Sequence, residues 1–182
     1  MGNRMPYLIE EHRHKFAAWA ASRAASVKGC RFKVEIGRSF LEAAGLHTFA
    51  ENPDRLPDNI DHGHKAWRQT IIDRGTAEYD LEITHGVAAK LINVYLKSLL
   101  VCGGYHSYEK VKALHPPIDS LLLSELAENN IGGLKETWKH YANIRWSRFS
   151  SDEYEDLIEN IKTVVKPGSG LWSIEEYWRG YQ

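Results

Sequence analysis

The stretch Gly86-Val87-Ala88-Ala89-Lys90-Leu91-Ile92-Asn93-Val94-Tyr95-Leu96-Lys97-Ser98-Leu99-Leu100-Val101-Cys102, followed by Gly103-Gly104, decides the fold. Its length and apolar content predict a helix over Val87 to Cys102 that the two glycines stop. Lys90, Asn93 and Lys97 fall on one face of it, at i, i+3 and i+7. Thr84-His85-Gly86 makes a tight connection into this helix, and Pro116-Pro117-Ile118-Asp119 opens the next, which the pattern carries to about Asn129 with Ile118, Leu121, Leu122 and Leu126 apolar.

The same periodicity extends to both ends. Glu10 to Val27 is alanine-rich and reads as a packing helix, with Phe16, Trp19, Ala20 and Val27 on one side at helical spacing and small residues elsewhere that allow close helix contact. Glu35 to Ala44 repeats the pattern before Gly45, and a polar loop with Pro53 and Pro57 follows. A third helix is expected over His64 to Arg74, then a short one over Ala77 to Ile83 capped by Thr76. Beyond Gly132-Gly133, Leu134 to Phe149 reads as helical. Ser150 and Glu153 have capping-box spacing ahead of Leu157, Ile158, Ile161, Val164 and Val165, and Ser173 and Glu176 repeat that spacing in the last helix. No strand pattern of useful length appears. The expected fold is all-α, about eight helices in a single domain over residues 1–182, with a central lobe near 60–133 and the N- and C-terminal helices forming the other.

Composition narrows the function classes. The 182 residues are enough to bury a core, and 43% hydrophobic against 26% charged residues argues against disorder. The N-terminal residues lack a signal-peptide core and no apolar run approaches a bilayer span, so a cytoplasmic location without membrane contact is expected. Cys30 and Cys102 have no metal or redox spacing, and neither a P-loop nor a dinucleotide fingerprint is present, so no metal or other cofactor is expected. Net charge is −1, but residues 10–38 hold seven basic residues against Glu10, Glu11 and Glu35. Residues 51–83 hold eight acidic against four basic, and residues 152–159 five acidic and none basic. Only a local basic face would attract phosphate.

Lys90 stands out electrostatically. A cation in the first turn of a helix opposes the helix dipole at a cost of about 0.3 to 1 kcal/mol. The same field, with burial, lowers the amine's pKa and raises its nucleophilic fraction. Asp119 is placed oppositely, as an anion that the dipole favours and that can stabilise positive charge developing on a sugar ring. A second reading stands beside this one: Lys90, Asn93 and Lys97 form a solvated face, and Asp119 is an ordinary helix cap.

Ile83-Thr84-His85-Gly86-Val87-Ala88-Ala89-Lys90 with Pro117-Ile118-Asp119-Ser120 resembles the hairpin and aspartate loop of the helix-hairpin-helix DNA glycosylases, the superfamily of endonuclease III and the archaeal 8-oxoguanine glycosylases. The resemblance covers about 45 residues and implies DNA as the partner. It implies Lys90 as the nucleophile that attacks the sugar C1′ and Asp119 as the carboxylate assisting base departure. The amides of Gly86, Val87, Ala88 and Ala89 would hold a backbone phosphate, with Lys97 and His115 as further DNA contacts. Ala88 replaces the family's second hairpin glycine, and 29 residues separate Lys90 from Asp119, a longer interval than in endonuclease III-like members.

Other clusters point elsewhere. Trp138 to Phe149 interleaves basic and aromatic residues, a composition that stacks on bases or, as helical spacing favours, packs a core. Asp58, Asp61, His62 and His64, like His12 and His14, read as structural or incidental rather than metal-binding. The aromatic segment Leu171 to Trp178 is expected to dock on the body; left exposed, it would favour a homodimer. The alternative to a DNA glycosylase or lyase is a non-catalytic helical interaction protein, dimeric or part of a phage-related or stress system.

Overall fold

In a computed structural model, which describes residues 6–180, the chain is all-α and those residues form no strand. The predicted central helix is its axis. Helix α4 (His85–Leu96) buries residues all round, Gly86 to Asn93 without interruption, as a helix apolar on every side must. It continues as a wider π-helical stretch, Lys97–Tyr105, where Gly104 turns to φ 97°. The run His85–Tyr105 is long and apolar enough to cross a membrane by length and composition, contrary to the sequence expectation, but two thirds of its most apolar window lies inside the fold.

Helix α1 (Ile9–Ala25) packs along α4 through Ala17, Ala18, Ala21 and Ala25. This corrects the predicted face: Phe16 and Trp19 are 58% and 52% exposed. Small side chains let the two backbones approach closely, so the alanine stripe faces inward and the aromatics are displaced outward. Helix α2 (Val34–Ala43) adds Phe40 and Leu41 to this core.

Helix α3 (Ile60–Tyr79) is one helix where two were expected. Asn59 caps it by accepting the His62 amide, and Thr76 lies inside it rather than at a start. Gly75 does not stop it, because a side chain there would collide with Ile83, which folds back over the helix. Asp80, left-handed at φ 51°, ends it.

A short helix α5 (Glu109–Lys112) precedes the extended segment 115–118, and helix α6 (Ser120–Glu128) starts three residues later than predicted, capped by Asp119. Pro116 lies before another proline and is disfavoured in helical conformation. Leu121 points to solvent, while Leu122, Leu123 and Leu126 are buried. Helix α7 (Lys135–Ile144) ends at Arg145 (φ 71°), short of the predicted Phe149, and a 3-10 turn Trp146–Arg148 follows. Helix α8 (Ser151–Val164) forms the predicted capping box of Ser150 and Glu153. The Ser173–Glu176 box does not form. Leu171–Tyr177 is a 3-10 segment that buries Leu171 and Ile174.

Two apolar cores result, one drawn from residues 17–114 and one from 118–174 with Ala89 of α4. The boundary between the two cores falls at the 115–117 segment, and α4 serves both. The acidic segments find partners across α3 and α8: Glu155 receives Lys65 and Arg68, and Asp61 receives Lys162.

Candidate active site

The division between the cores brings Lys90 and Asp119 together. Lys90 Nζ lies 3.2 Å from Asp119 Oδ2 and donates to the Ile118 carbonyl at 3.0 Å. Lys90 is 7% exposed, so its face is a buried seam rather than a solvated one. Asp119 serves two roles at once. Oδ1 accepts the Leu122 amide as the α6 cap at 2.9 Å, and Oδ2 accepts from both Lys90 and the Trp178 indole, the latter at 3.0 Å. Burial pushes the Lys90 ammonium below the usual lysine value, while Asp119 and Glu175 pull it back up and Lys97 opposes them. Desolvation is the larger influence.

Around this pair lies a cavity of about 410 Å³ lined by Ala24, Val94, Lys97, Ser98, Pro117, Trp146, Glu175 and Trp178 besides Lys90 and Asp119. The Lys90 ammonium faces the Trp146 ring at 5.4 Å and Lys97 faces the Trp178 ring at 5.6 Å. Lys97 is paired with Glu175, whose carboxyl burial pushes up. The site thus combines an amine, a carboxylate, two indoles and an ion pair. A larger concavity, about 510 Å³ between the start of α3 and Gly168-Ser169, holds ion pairs of its own, Asp61 with Lys162 and Glu109 with Lys112, but is lined by no indole.

Trp146 and Trp178, which form the walls, were not among the predicted site residues. Trp146 is placed by the start of α4. Thr84 caps that helix by accepting the Val87 amide and donating to the Ser147 carbonyl, and the Gly86 amide donates to the Phe149 carbonyl at 3.2 Å. These bonds correct the phosphate assignment. The amides of Gly86, Val87 and Ala88 are taken up by Phe149, Thr84 Oγ1 and the Thr84 carbonyl, and Gly86, Val87, Ala88 and Ala89 are all buried. Ala88, where the family has glycine, meets the core.

His115 is likewise buried. Its Nε2 pairs with Asp61 at 2.8 Å and its Nδ1 with the Tyr154 hydroxyl at 3.0 Å, which removes it from any phosphate surface. Tyr154 accepts from Asn93, and Asn93 Oδ1 faces His64 Nε2 at 2.8 Å. Trp138 and Tyr141 are core residues, as helical spacing favoured. The described residues hold no cluster of three or more metal-ligating side chains, and Cys30 and Cys102 are free thiols.

The buried histidines make stability depend on pH. Burial holds both His64 and His115 below the usual histidine value. The unfolded chain therefore binds more protons, and stability falls as pH drops below about 6.5. Asp61, held low first by the His115 hydrogen bond, contributes in the same direction at lower pH, below about 4. Unfolding free energies from urea titrations are expected to fall between about pH 7 and pH 5, by up to about 1.4 kcal/mol per pH unit for each histidine. His115→Asn should flatten that slope; an unchanged slope would deny the imidazole its part.

Compared with models of protein families, with curated proteins and with solved structures, the chain finds no match.

Proposed function

We propose that this cytoplasmic protein processes nucleic acid as a DNA base-excision glycosylase or abasic-site lyase, with Lys90 as nucleophile and Asp119 as the assisting carboxylate. The observation that carries the reading is the meeting of these two side chains at 3.2 Å, from positions 29 residues apart, at the wall of a cavity. A nucleotide rotated out of the duplex would bring C1′ to Nζ. The amine lone pair forms the C1′–N bond, the glycosidic bond breaks with its electrons leaving on the base, and the departing base takes a proton. The proton the base takes is the one shed by the newly bonded nitrogen, whose lone pair then forms the C=N bond of a protonated Schiff base as the C1′–O4′ bond breaks with its electrons on O4′, which takes a proton from solvent. Burial favours the neutral amine this step needs, and Asp119 offsets positive charge on the sugar. Arg23, next in the chain to the cavity-lining Ala24, is exposed, as are Lys28 and Arg31 beyond the end of α1, and the reading assigns phosphate contacts to these side chains.

The test is covalent trapping. Uracil-, oxidised-purine- and abasic-site DNA are incubated with the protein and reduced with borohydride. The expected result is an adduct in the wild type that disappears in Lys90→Ala and in the better-packed Lys90→Met. No adduct on any of the three substrates, with the fold intact by circular dichroism, overturns the reading. The alternative, a non-catalytic interaction protein that pairs with a second copy, draws on the exposed Phe16 and Trp19 of α1.

A further inference from the structure

The segment that delivers Asp119 is extended, and two of its residues are prolines, so its carbonyls have neither helix nor sheet to satisfy them. Two of those carbonyls are met by neighbouring side chains of α4. Lys90 donates to the Ile118 carbonyl at 3.0 Å, and Asn93, one turn along, donates to the Pro116 carbonyl at 2.9 Å. We infer that Asn93 is a positioning residue, which sets the height of the 116–119 segment on α4 and so brings the Asp119 carboxylate to the Lys90 amine. The lysine bond alone cannot do this, because a flexible side chain follows its acceptor.

Asn93 is suited to the task because its own orientation is fixed on every side. It is 1% exposed, and its amide nitrogen reaches both Pro116 and the Tyr154 hydroxyl at 2.9 Å. The Pro116 carbonyl, which can only accept, requires the nitrogen on that side, and the oxygen then faces His64 Nε2, which must carry the proton. Tyr154, accepting from Asn93, is free to donate to His115 Nδ1, whose Nε2 proton goes to Asp61. One consistent set of donors therefore runs between Asp61 and Asn93 through His115 and Tyr154, with His64 donating to the Asn93 oxygen. Its last bond is on the backbone three residues before Asp119. Replacing Asn93 loses the side-chain hydrogen bond to the Pro116 carbonyl and leaves Tyr154 and His64 to find other partners.

The inference deepens the nucleophile reading, but its test needs no substrate. Lys90 is labelled at the ε-carbon and titrated by NMR, and the Trp178 indole proton, which is donated to Asp119, reports where the carboxylate sits. In Asn93→Ala and Asn93→Leu the Lys90 midpoint is expected to shift downward, through loss of the carboxylate, and the indole resonance to move. Leu91→Ala, a buried truncation on the same helix, is the control for general destabilisation. It should leave both signals in place. Wild-type values in the two Asn93 variants, or equal changes in Leu91→Ala, overturn the assignment. Should Asn93→Ala fold poorly, Asn93→Leu retains the side-chain volume and decides alone. A failure to trap DNA would count against the proposed chemistry and leave this result standing.

Discussion

Gly86→Ala is expected to lower unfolding stability by about 2 to 3 kcal/mol, the upper range for forcing one carbon into a packed site. A Cβ at Gly86 would fall inside the contact distance of the Trp146 carbonyl oxygen, with the Phe149 Cβ close behind. Backbone cannot step aside as a side-chain tip can. The turn carrying Trp146 must move, stretching the Gly86 amide bond to Phe149 and drawing the indole from Lys90. Gly103→Ala is the comparison, since a Cβ there meets nothing nearer than 4.0 Å. Urea denaturation followed by tryptophan fluorescence should separate the two variants by at least about 1 kcal/mol. Equal midpoints would mean that the turn yields freely, and that the start of α4 does not hold Trp146 in place.

That prediction also marks what the sequence made legible. Gly86 is prominent in a hairpin-like motif, but the motif suggests an open turn facing phosphate, whereas the glycine exists to admit the Trp146 turn. Local signals translated well. Ser150 and Glu153 cap α8 because a capping box involves only four consecutive residues, and Asp119 caps α6 for the same reason. The meeting of Lys90 with Asp119 was implied by the glycosylase resemblance, since the residues read alone allowed a solvated face and an ordinary cap as well. What periodicity could not supply was which stripe of a helix meets a neighbour. Lys90, Asn93 and Lys97 have the spacing of a solvated face, yet the Pro116–Asp119 segment and the C-terminal Trp178 cover it from remote positions. Phe16 and Trp19 were misplaced for the converse reason. Alanines give a weak hydrophobic signal, but they win the interface when two backbones must come close. The π-helical continuation after Leu96 and the 3-10 form of Leu171–Tyr177 have no comparable sequence signature.

The largest loss is expected for Asp119→Ala, about 3 to 5 kcal/mol, because it strands a buried ammonium while also removing a helix cap. Lys90 would keep its hydrogen bond to the Ile118 carbonyl but lose its contact carboxylate, and the α6 start would lose the bond to the Leu122 amide. The amine can escape part of the penalty by releasing its proton, which burial already favours, so the loss should be smaller at alkaline pH. Asp119→Ser separates the two contributions. A hydroxyl can still accept the Leu122 amide but cannot neutralise Lys90, so it should recover only the cap, about 1 kcal/mol. Lys90→Met combined with Asp119→Ser removes both charges and should be more stable than Asp119→Ala, since no unpaired ion remains in the seam. Urea midpoints for the wild type, Lys90→Met, Asp119→Ser and the double variant give the coupling directly. A coupling near zero would mean that the amine and the carboxylate, 3.2 Å apart, do not depend on one another. The electrostatic basis for treating Lys90 as a tuned nucleophile would then be gone.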